Sequence, residues 1–418
     1  MTKPEAFPDS TLGLAAERID PHAMTIVETL REAGHEAYIV GGGVRDLLLE
    51  ARPKDFDVAT SAHPEAVRKL FRRSRLIGRR FPIVHVMFGR DYIEVTTFRA
   101  ETGEARQVHE ESGRILRDSS FGTLAEDALR RDFTVNALYY DPLGRQVLDF
   151  TAGLDDLKAR RLRLIGDPET RYREDPVRML RALRFAAKLD FDLEEGTAAP
   201  LEGLASLLAD IPAARLFEEV CKLFLGGHAE STFKVLRRYG LFGELFPLSQ
   251  EVLEADKEGI LEQFVIGALA STDTRIRSGQ PVMIAFLLAA FLWPPISRYA
   301  HWLQKEERMG DATAIQRAGS VVLGESRQHV SIPQRFATPL REIIQLQTRF
   351  RFRHGKRAES LLAHPRFRAA WDFLKLRAEA GDADPELVEF WGQAQDANEE
   401  ERRKLLAPPR RNRKRRRR

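Results

Sequence analysis

The most concentrated chemistry in the chain lies at KDFDVAT, where Asp55 and Asp57 are separated by one residue. In a strand, alternate side chains share a face, so two such carboxylates project together and can share divalent cations, which as hard ions prefer oxygen donors. Twelve residues before Asp55, GGGVRD joins an amide-rich turn to a helix start. Gly42, Gly43 and the cationic Arg45 there suit a phosphate. The run is not a P-loop, because no GK[ST] closes it, nor a dinucleotide fingerprint, whose third glycine position is Asp46. Glu94 in YIEVTTFR offers a third carboxylate on an apolar, β-branched strand. It either completes a metal-binding set or faces solvent at a sheet edge.

Two further clusters follow. EDALRRDFTVNALYYD gathers Glu126, Asp127, Arg130, Arg131, Asp132 and Asn136 within eleven positions, and REDPVRMLRALRF sets Asp175, Arg178, Arg181 and Arg184 at intervals of three. That spacing aims several side chains toward one helix face. Arginines in file on an apolar helix need anions, and either a nucleoside triphosphate or an internal carboxylate network would serve. Farther on, RFRFRHGKR interleaves Arg349, Arg351 and Arg353 with Phe350 and Phe352. Such alternation suits base stacking and phosphate contact, or else an ordinary basic face with its phenylalanines in the core. The final run RRNRKRRRR, with Arg410, Arg411, Arg413 and Lys414, holds eight basic residues in nine. Its plausible partners are polyanions, nucleic acid or an anionic membrane surface.

The elements that must position these residues are readable in outline. A helix starts at residues 24–34, and strands are expected at Tyr38–Val40, Phe56–Thr60, Pro82–Phe88 and Tyr92–Phe98, with a helix at Val44–Glu50 and a hairpin turn at Gly89–Asp91. Beyond about residue 150 a 3.6-residue period dominates, in segments such as VRMLRALRFAAKL and ARLFEEVCKLFL, and predicts an all-helical remainder. At 418 residues, 43% hydrophobic and 31% charged, the chain is of globular type with volume for several domains. One cysteine, Cys221, excludes an intramolecular disulfide and a cysteine-based zinc cage, and predicts a reducing, cytoplasmic setting. The most apolar run, Pro281–Trp293, is shorter than the ~20 residues a membrane helix needs and predicts a core helix. The net charge of +4 conceals an asymmetry: without the eight basic residues of 410–418, the other 409 residues stand at −4.

Taken in order, GGGVRDLLLEARPKDFDVAT, IEVTTFR, RRDFTVNALYYD and REDPVRMLRALRFAAKL resemble the class II nucleotidyltransferases, which comprise bacterial poly(A) polymerases and CCA-adding tRNA enzymes. The resemblance runs from about residue 24 to 250. LIGRRFPIVHVMFG, the Pro in REDPVRMLR and the arginine-rich 339–377 region point to the poly(A) polymerase branch, and no appended histidine-aspartate hydrolase domain is recognisable. The resemblance implies an α+β fold: an N-terminal extension (1–23), a nucleotidyltransferase head with a small mixed sheet (24–154), an all-α neck (155–210), body (211–330) and C-terminal domain (331–408), then a disordered basic tail (409–418). It implies that Asp55 and Asp57 hold two magnesium ions, with Glu94 or Asp132 as a further essential acid. Gly42, Gly43, Arg45, Arg131 and Asn136 would bind the nucleotide's ribose or phosphates. Asp175 and Arg178, in an EDxxR pattern, would face the incoming base, and Arg181 and Arg184 would support that face or bind the triphosphate. The expected activity is template-independent addition of AMP from ATP to RNA 3′ ends, promoting RNA decay, with RNA-decay proteins as partners. The alternatives are a CCA-adding or A-adding tRNA enzyme, and a non-catalytic RNA-binding module, against which the three intact acids argue.

Overall fold

The computed structural model describes residues 3–78, 82–100 and 121–408. The chain forms two compact units, one from residues 1–174 and 189–200, the other from 175–188 and 201–418.

The first unit is built on an eight-stranded mixed sheet. Its strands are β1 (Glu5–Pro8), β2 (Ala37–Val40), β3 (Asp57–Thr60), β4 (Ser74–Ile77), β5 (Ile83–Phe88), β6 (Asp91–Thr97), β7 (Leu138–Asp141) and β8 (Gln146–Asp149). Their order across the sheet is β1-β8-β7-β2-β3-β6-β5-β4. Every neighbouring pair is antiparallel except β3 and β6, which run parallel. That exception brings the two acidic strands together in one direction. The helix Pro21–Glu32 packs on β2 and β3. It starts where Asp20 accepts from the His22 amide at 2.7 Å with Pro21 in the first turn, and it buries Ala23, Ile26, Val27 and Leu30, one stripe of a 3.6-residue period. Elsewhere the sheet buries Tyr38, Val40, Ala59, Phe98, Tyr139 and Leu148 together with Ala128 of the helix Leu124–Leu129.

The second unit is helical. The helix Ile284–Glu306 runs through it and buries an apolar stretch from Ile284 to Ser297, as the length of the Pro281–Trp293 run predicted. Phe224, Phe233, Phe242 and Phe246 surround Phe291, with ring centroids 4.8 to 6.2 Å from it. A separate core gathers Phe350, Phe367 and Trp391, whose indole donates to the Phe350 carbonyl at 2.7 Å. No helix among the described residues is long and apolar enough to cross a membrane.

The structure departs from the sequence reading in three places. Residues 5–8, which that reading sets outside the head, add an edge strand to β8. They are locked there by Asp9, 3% exposed, which accepts from the Tyr140 hydroxyl at 3.0 Å and Arg145 Nε at 3.1 Å. A four-residue strand carries too little pattern to be read without its partner. The remainder beyond residue 150 is also not purely helical, since Arg161–Leu162 pairs in parallel with Asp192–Leu193. Third, β3 begins at Asp57, so Asp55 lies ahead of the strand and does not share its alternation.

Asp9→Ala is expected to leave the Tyr140 hydroxyl, on a residue 1% exposed, without its acceptor, at a cost of about 1–3 kcal/mol. Denaturant unfolding checks this, and a midpoint equal to wild type would contradict the locking role.

Candidate active site

Strand register sets two carboxylates side by side, and a third lies on the segment just ahead of them. Asp57 opens β3 directly opposite Glu94 of β6, and Glu94 is in turn opposite His85 of β5. His85 Nε2 lies 3.3 Å from Glu94 Oε1, and its ring stacks on Tyr92 at 4.2 Å and 7°. Asp55 is exposed on the segment leading into β3, while Asp57 is partly buried. Burial first, then the charges of Glu94 and Asp55, push Asp57 up to about 6 against the opposing pull of Arg131. Glu94 is therefore held beside Asp57 by the sheet and not at a solvent edge.

The glycine turn fits closely around this group. Gly41 has φ +81°, a conformation L side chains rarely adopt, and a Cβ there would stand 3.7 Å from Arg131 Nη1 and 3.9 Å from Asp57 Oδ2. At Gly43 a Cβ would fall 2.9 Å from Phe56 Cδ1 and 3.1 Å from the Asp55 carbonyl. The absence of a side chain at Gly43 is what lets the short helix Gly42–Leu48 lie against the Asp55–Phe56 segment. Gly42 is open to the Arg45 guanidinium, which would stand 3.4 Å from its Cβ.

Arg131 owes its place to Asp127, which is 1% exposed. Asp127 accepts from Arg130 Nη2 at 2.9 Å, Arg131 Nη2 at 3.2 Å, the Tyr139 hydroxyl at 2.7 Å and the Arg99 amide at 3.2 Å. Burial by itself would raise the Asp127 carboxyl, but Arg131, Arg130 and the Tyr139 hydroxyl outweigh it and hold it below the ordinary value. Arg131 Nε also donates to Tyr139 at 2.8 Å, its guanidinium lies 5.1 Å from that ring's centroid, and the acceptors keep it charged despite burial. The turn that carries it is clamped by Arg171, 6% exposed, which donates to the Arg130 and Arg131 carbonyls at 2.8 and 3.2 Å.

Other expected residues have different surroundings. Arg45 is 2% exposed and donates to Asp46 at 2.6 and 2.8 Å and to the Asn136 side chain. A cation buried this deeply requires acceptors, so Arg45 and Asn136 brace the glycine turn against the Thr134–Asn136 turn. Asp132 is partly buried beside Arg131, with its carbonyl accepting from the Ile165 amide at 2.9 Å. In the helical unit, Asp175 accepts Arg215 Nη2 at 2.9 and 3.0 Å and the Val177 amide at 3.3 Å, at the start of the helix Val177–Leu189. Arg178, Arg181 and Arg184 are partly buried along that helix, Arg184 lying 4.6 Å from the Phe185 ring centroid.

Phe350 is fully buried, whereas Phe352 is partly exposed, with the Arg351 and Arg357 guanidinium groups each 4.9 Å from its ring centroid. Arg349 donates to Ser360, Arg351 pairs with Asp311, and Arg353 pairs with Glu386 at 3.3 Å. Arg410, Arg411, Arg413 and Lys414 lie outside the described residues. Sequence reading passed over Gly41, His85, Tyr139, Arg171 and Arg215. Only Asp127, three and four residues before the two arginines, left a usable signal.

A cleft of about 1170 Å³ opens over the carboxylates, walled by Arg18, Arg52, Lys54 and Arg90 and by the stacked rings of His22 and Phe88. Among the described residues no three Asp, Glu, His or Cys side chains form a ready cage for an ion. The donor set nonetheless fits magnesium, which is held by one or two carboxylates, waters and substrate phosphates rather than by a full protein cage. The crowding that raises Asp57 is the kind of repulsion a divalent cation relieves.

Family models match most of the chain. The poly A polymerase head domain matches residues 37–163, a probable RNA- and SrmB-binding site of polymerase A matches 190–253, and the polymerase A arginine-rich C-terminus matches 307–418. Poly(A) polymerase I of Salmonella typhimurium is 46% identical over 93% of this chain and 85% of its own, and that of Escherichia coli O157:H7 is 47% identical over the same shares. A CCA-adding enzyme of Lactobacillus helveticus is 43% identical over 51% of this chain and 52% of its own. Among solved structures, a CCA-adding enzyme of Bacillus stearothermophilus in complex with CTP is 26% identical over 93% of each chain, with a TM-score of 0.50. A tRNA-processing enzyme in apo form is 21% identical, covers 93% of this chain and 99% of its own, and has a TM-score of 0.60, a likeness of fold.

Because Asp57 binds its proton more tightly when folded, protonation favours the folded state below about pH 4, and that gain is lost as pH rises through about 6. Asp57→Asn carries no charge, so it is expected to stabilise the metal-free protein near neutral pH by up to about 3 kcal/mol, the difference closing in acid. Thermal unfolding with a chelator across this pH range checks it, and a variant less stable than wild type at neutral pH would contradict the crowding.

Proposed function

Because the chain belongs to the poly(A) polymerase family, we propose a division of labour for template-independent addition of AMP from ATP to RNA 3′ ends. The observation that carries it is the register of β3 and β6, which sets Asp57 against Glu94 with Asp55 close enough to raise Asp57. Asp55, Asp57 and Glu94 would hold the two magnesium ions. When bound, magnesium lowers the pKa of the primer 3′-hydroxyl and neutralises charge developing on the α-phosphate and the departing pyrophosphate. Oxygen donors suit it better than imidazole. Glu94, by its register, is the third acid in this assignment, and Asp132 stays on the turn beside Arg131.

The rest of the head positions charge. Arg131, held by Asp127 and Tyr139, faces the glycine turn and meets the nucleotide's phosphates or ribose. Gly42 and Gly43 keep that turn free of side chains. Arg45 and Asn136 contribute by bracing it rather than by direct contact. The cations of the cleft attract a polyanionic substrate. ATP and CTP share a triphosphate and differ at the base, so selection needs fixed hydrogen-bonding groups. We assign it to Asp175 and Arg178, with Arg215 orienting Asp175 and with Arg181 and Arg184 supporting that face.

Arg349, Arg351, Arg353 and the basic run from Arg410 would bind RNA phosphates. The partners of the first three are exposed surface groups worth about 0–1 kcal/mol each, readily exchanged for phosphate. The region 190–253 is the place where helper proteins of RNA decay would bind, in keeping with its family model. A chain with one cysteine fits a cytoplasmic setting. The curated CCA-adding relative is similar to this chain over 51% of its length, whereas likeness to the poly(A) polymerases, at comparable identity, extends over 93%.

Two measurements test this. Nucleotide incorporation is expected with ATP and not CTP on an oligo(A) primer, and weakly on a tRNA lacking its terminal CCA, and is expected to vanish in Asp55→Ala and Asp57→Ala while circular dichroism stays native. Efficient sequential use of CTP and ATP on the tRNA would establish the alternative. Arg178→Ala is expected to lower the ATP to CTP ratio of kcat/KM more than it weakens triphosphate binding, and an unchanged ratio would place base selection elsewhere.

A further inference from the structure

The helix Ile284–Glu306 buries its first half, but its last turns present Arg298, His301, Trp302 and Lys305 to solvent, with Tyr299 partly exposed among them. Trp302 is 49% exposed, and its ring stacks on that of Tyr299 with centroids 5.8 Å apart and planes 17° from parallel. At about 100° per residue, His301, Lys305, Arg298, Trp302 and Tyr299 follow one another in that order around roughly half the helix. Cations and aromatic faces are therefore laid side by side. Arg298 pairs with Glu251 at 3.2 Å, but both side chains are more than half exposed, so the pair is weak and easily released. On the far flank of His301 a cavity of about 230 Å³ opens, with Gln304 and Thr348 in its wall.

A single exposed tryptophan needs no explanation. An exposed tryptophan already stacked on a tyrosine, edged by a lysine and an arginine and adjoining a polar cavity, is a different object. A protein partner would favour a broad apolar patch poor in lysine. Cations set directly beside exposed ring faces instead match single-stranded nucleic acid, whose bases stack while its phosphates are neutralised.

We propose that this strip is a stacking platform for single-stranded RNA, outside the catalytic head. Purine bases of the substrate strand lie on the Tyr299 and Trp302 rings, Arg298 and Lys305 meet the flanking phosphates, and the cavity beside His301 receives a base edge. The proposal rests on RNA being the substrate. Stacking of this kind tolerates any base, and it suits a strand that grows by adenines, which offer a large ring face.

The test uses the full chain and fluorescently labelled oligo(A). Trp302→Ala is expected to weaken oligo(A) binding about 5- to 140-fold, the range set by removing an aromatic partner from one base, while Trp302→Phe keeps most of the affinity. The Arg298→Gln, Lys305→Gln double variant is expected to lower the log–log salt slope by about 1.4, about 0.7 for each lost phosphate contact. The KM for ATP at saturating primer is expected to stay as in wild type. Oligo(A) should also quench an indole emission component that is missing in Trp302→Phe. Wild-type affinity in a natively folded Trp302→Ala overturns the platform and assigns the face to a protein partner. If Trp302→Ala does not fold, the double variant decides, and an unchanged salt slope overturns the proposal. AMP incorporation by wild type, run alongside, separates the two failures. With incorporation intact and binding unchanged, only the platform falls. With no incorporation into RNA, the polymerase reading falls and the platform with it.

Discussion

The head is organised around one buried carboxylate. Asp127 binds two guanidinium groups, a tyrosine hydroxyl and a backbone amide, drawn from Arg99 two residues past β6, from β7 and from the turn after its own helix. A charge taken this far from water is tolerable only when its acceptor sites are filled, and losing a partner in such a network costs about 3–5 kcal/mol. The arrangement is therefore close to all-or-none. It fixes Arg131, and Arg131 is the cation that opposes the accumulated negative charge at Asp57.

That negative charge is the site's second constraint. A parallel pair in an otherwise antiparallel sheet places Asp57 and Glu94 opposite one another. Burial at the start of β3 and, after it, the like charges that strand pairing forces together raise Asp57. Local structure bends to accommodate this. Gly41 takes a left-handed conformation where its neighbours are Arg131 and Asp57, and Gly43 yields its side-chain volume to Phe56. Arg45, a deeply buried cation, donates to Asp46 and Asn136 and braces the same turn.

The helical unit handles its many arginines differently. Core arginines are tied down: Arg377 stacks 4.1 Å from the Trp293 ring centroid and donates to Asp382 at 2.6 Å, and Trp293 donates to the same carboxylate at 2.8 Å. At the surface, Arg349, Arg351 and Arg353 hold exposed partners that water already screens. Cations of the second kind remain exchangeable, which suits a surface that must take up and release a polyanion.

Much of this was legible in the residues. The helix Pro21–Glu32, strands β2, β3, β5 and β6, and the helical periodicity beyond residue 150 were read from spacing because each is a local pattern repeated often enough to be recognised. Asp55 and Asp57 were identifiable as candidates by their one-residue spacing, and Glu94 because a carboxylate within an apolar, β-branched strand demands a reason. What spacing could not supply was partnership. The edge strand β1, the pairing of Asp57 with Glu94, the capture of Arg45 by Asn136 and the clamp of Arg171 on the Arg130–Arg131 turn join residues about 35 to 140 positions apart. A sequence states which side chains carry charge and which faces are apolar. Only the assembled sheet decides which charge is buried beside which, since that depends on register across strands that are not neighbours in the chain.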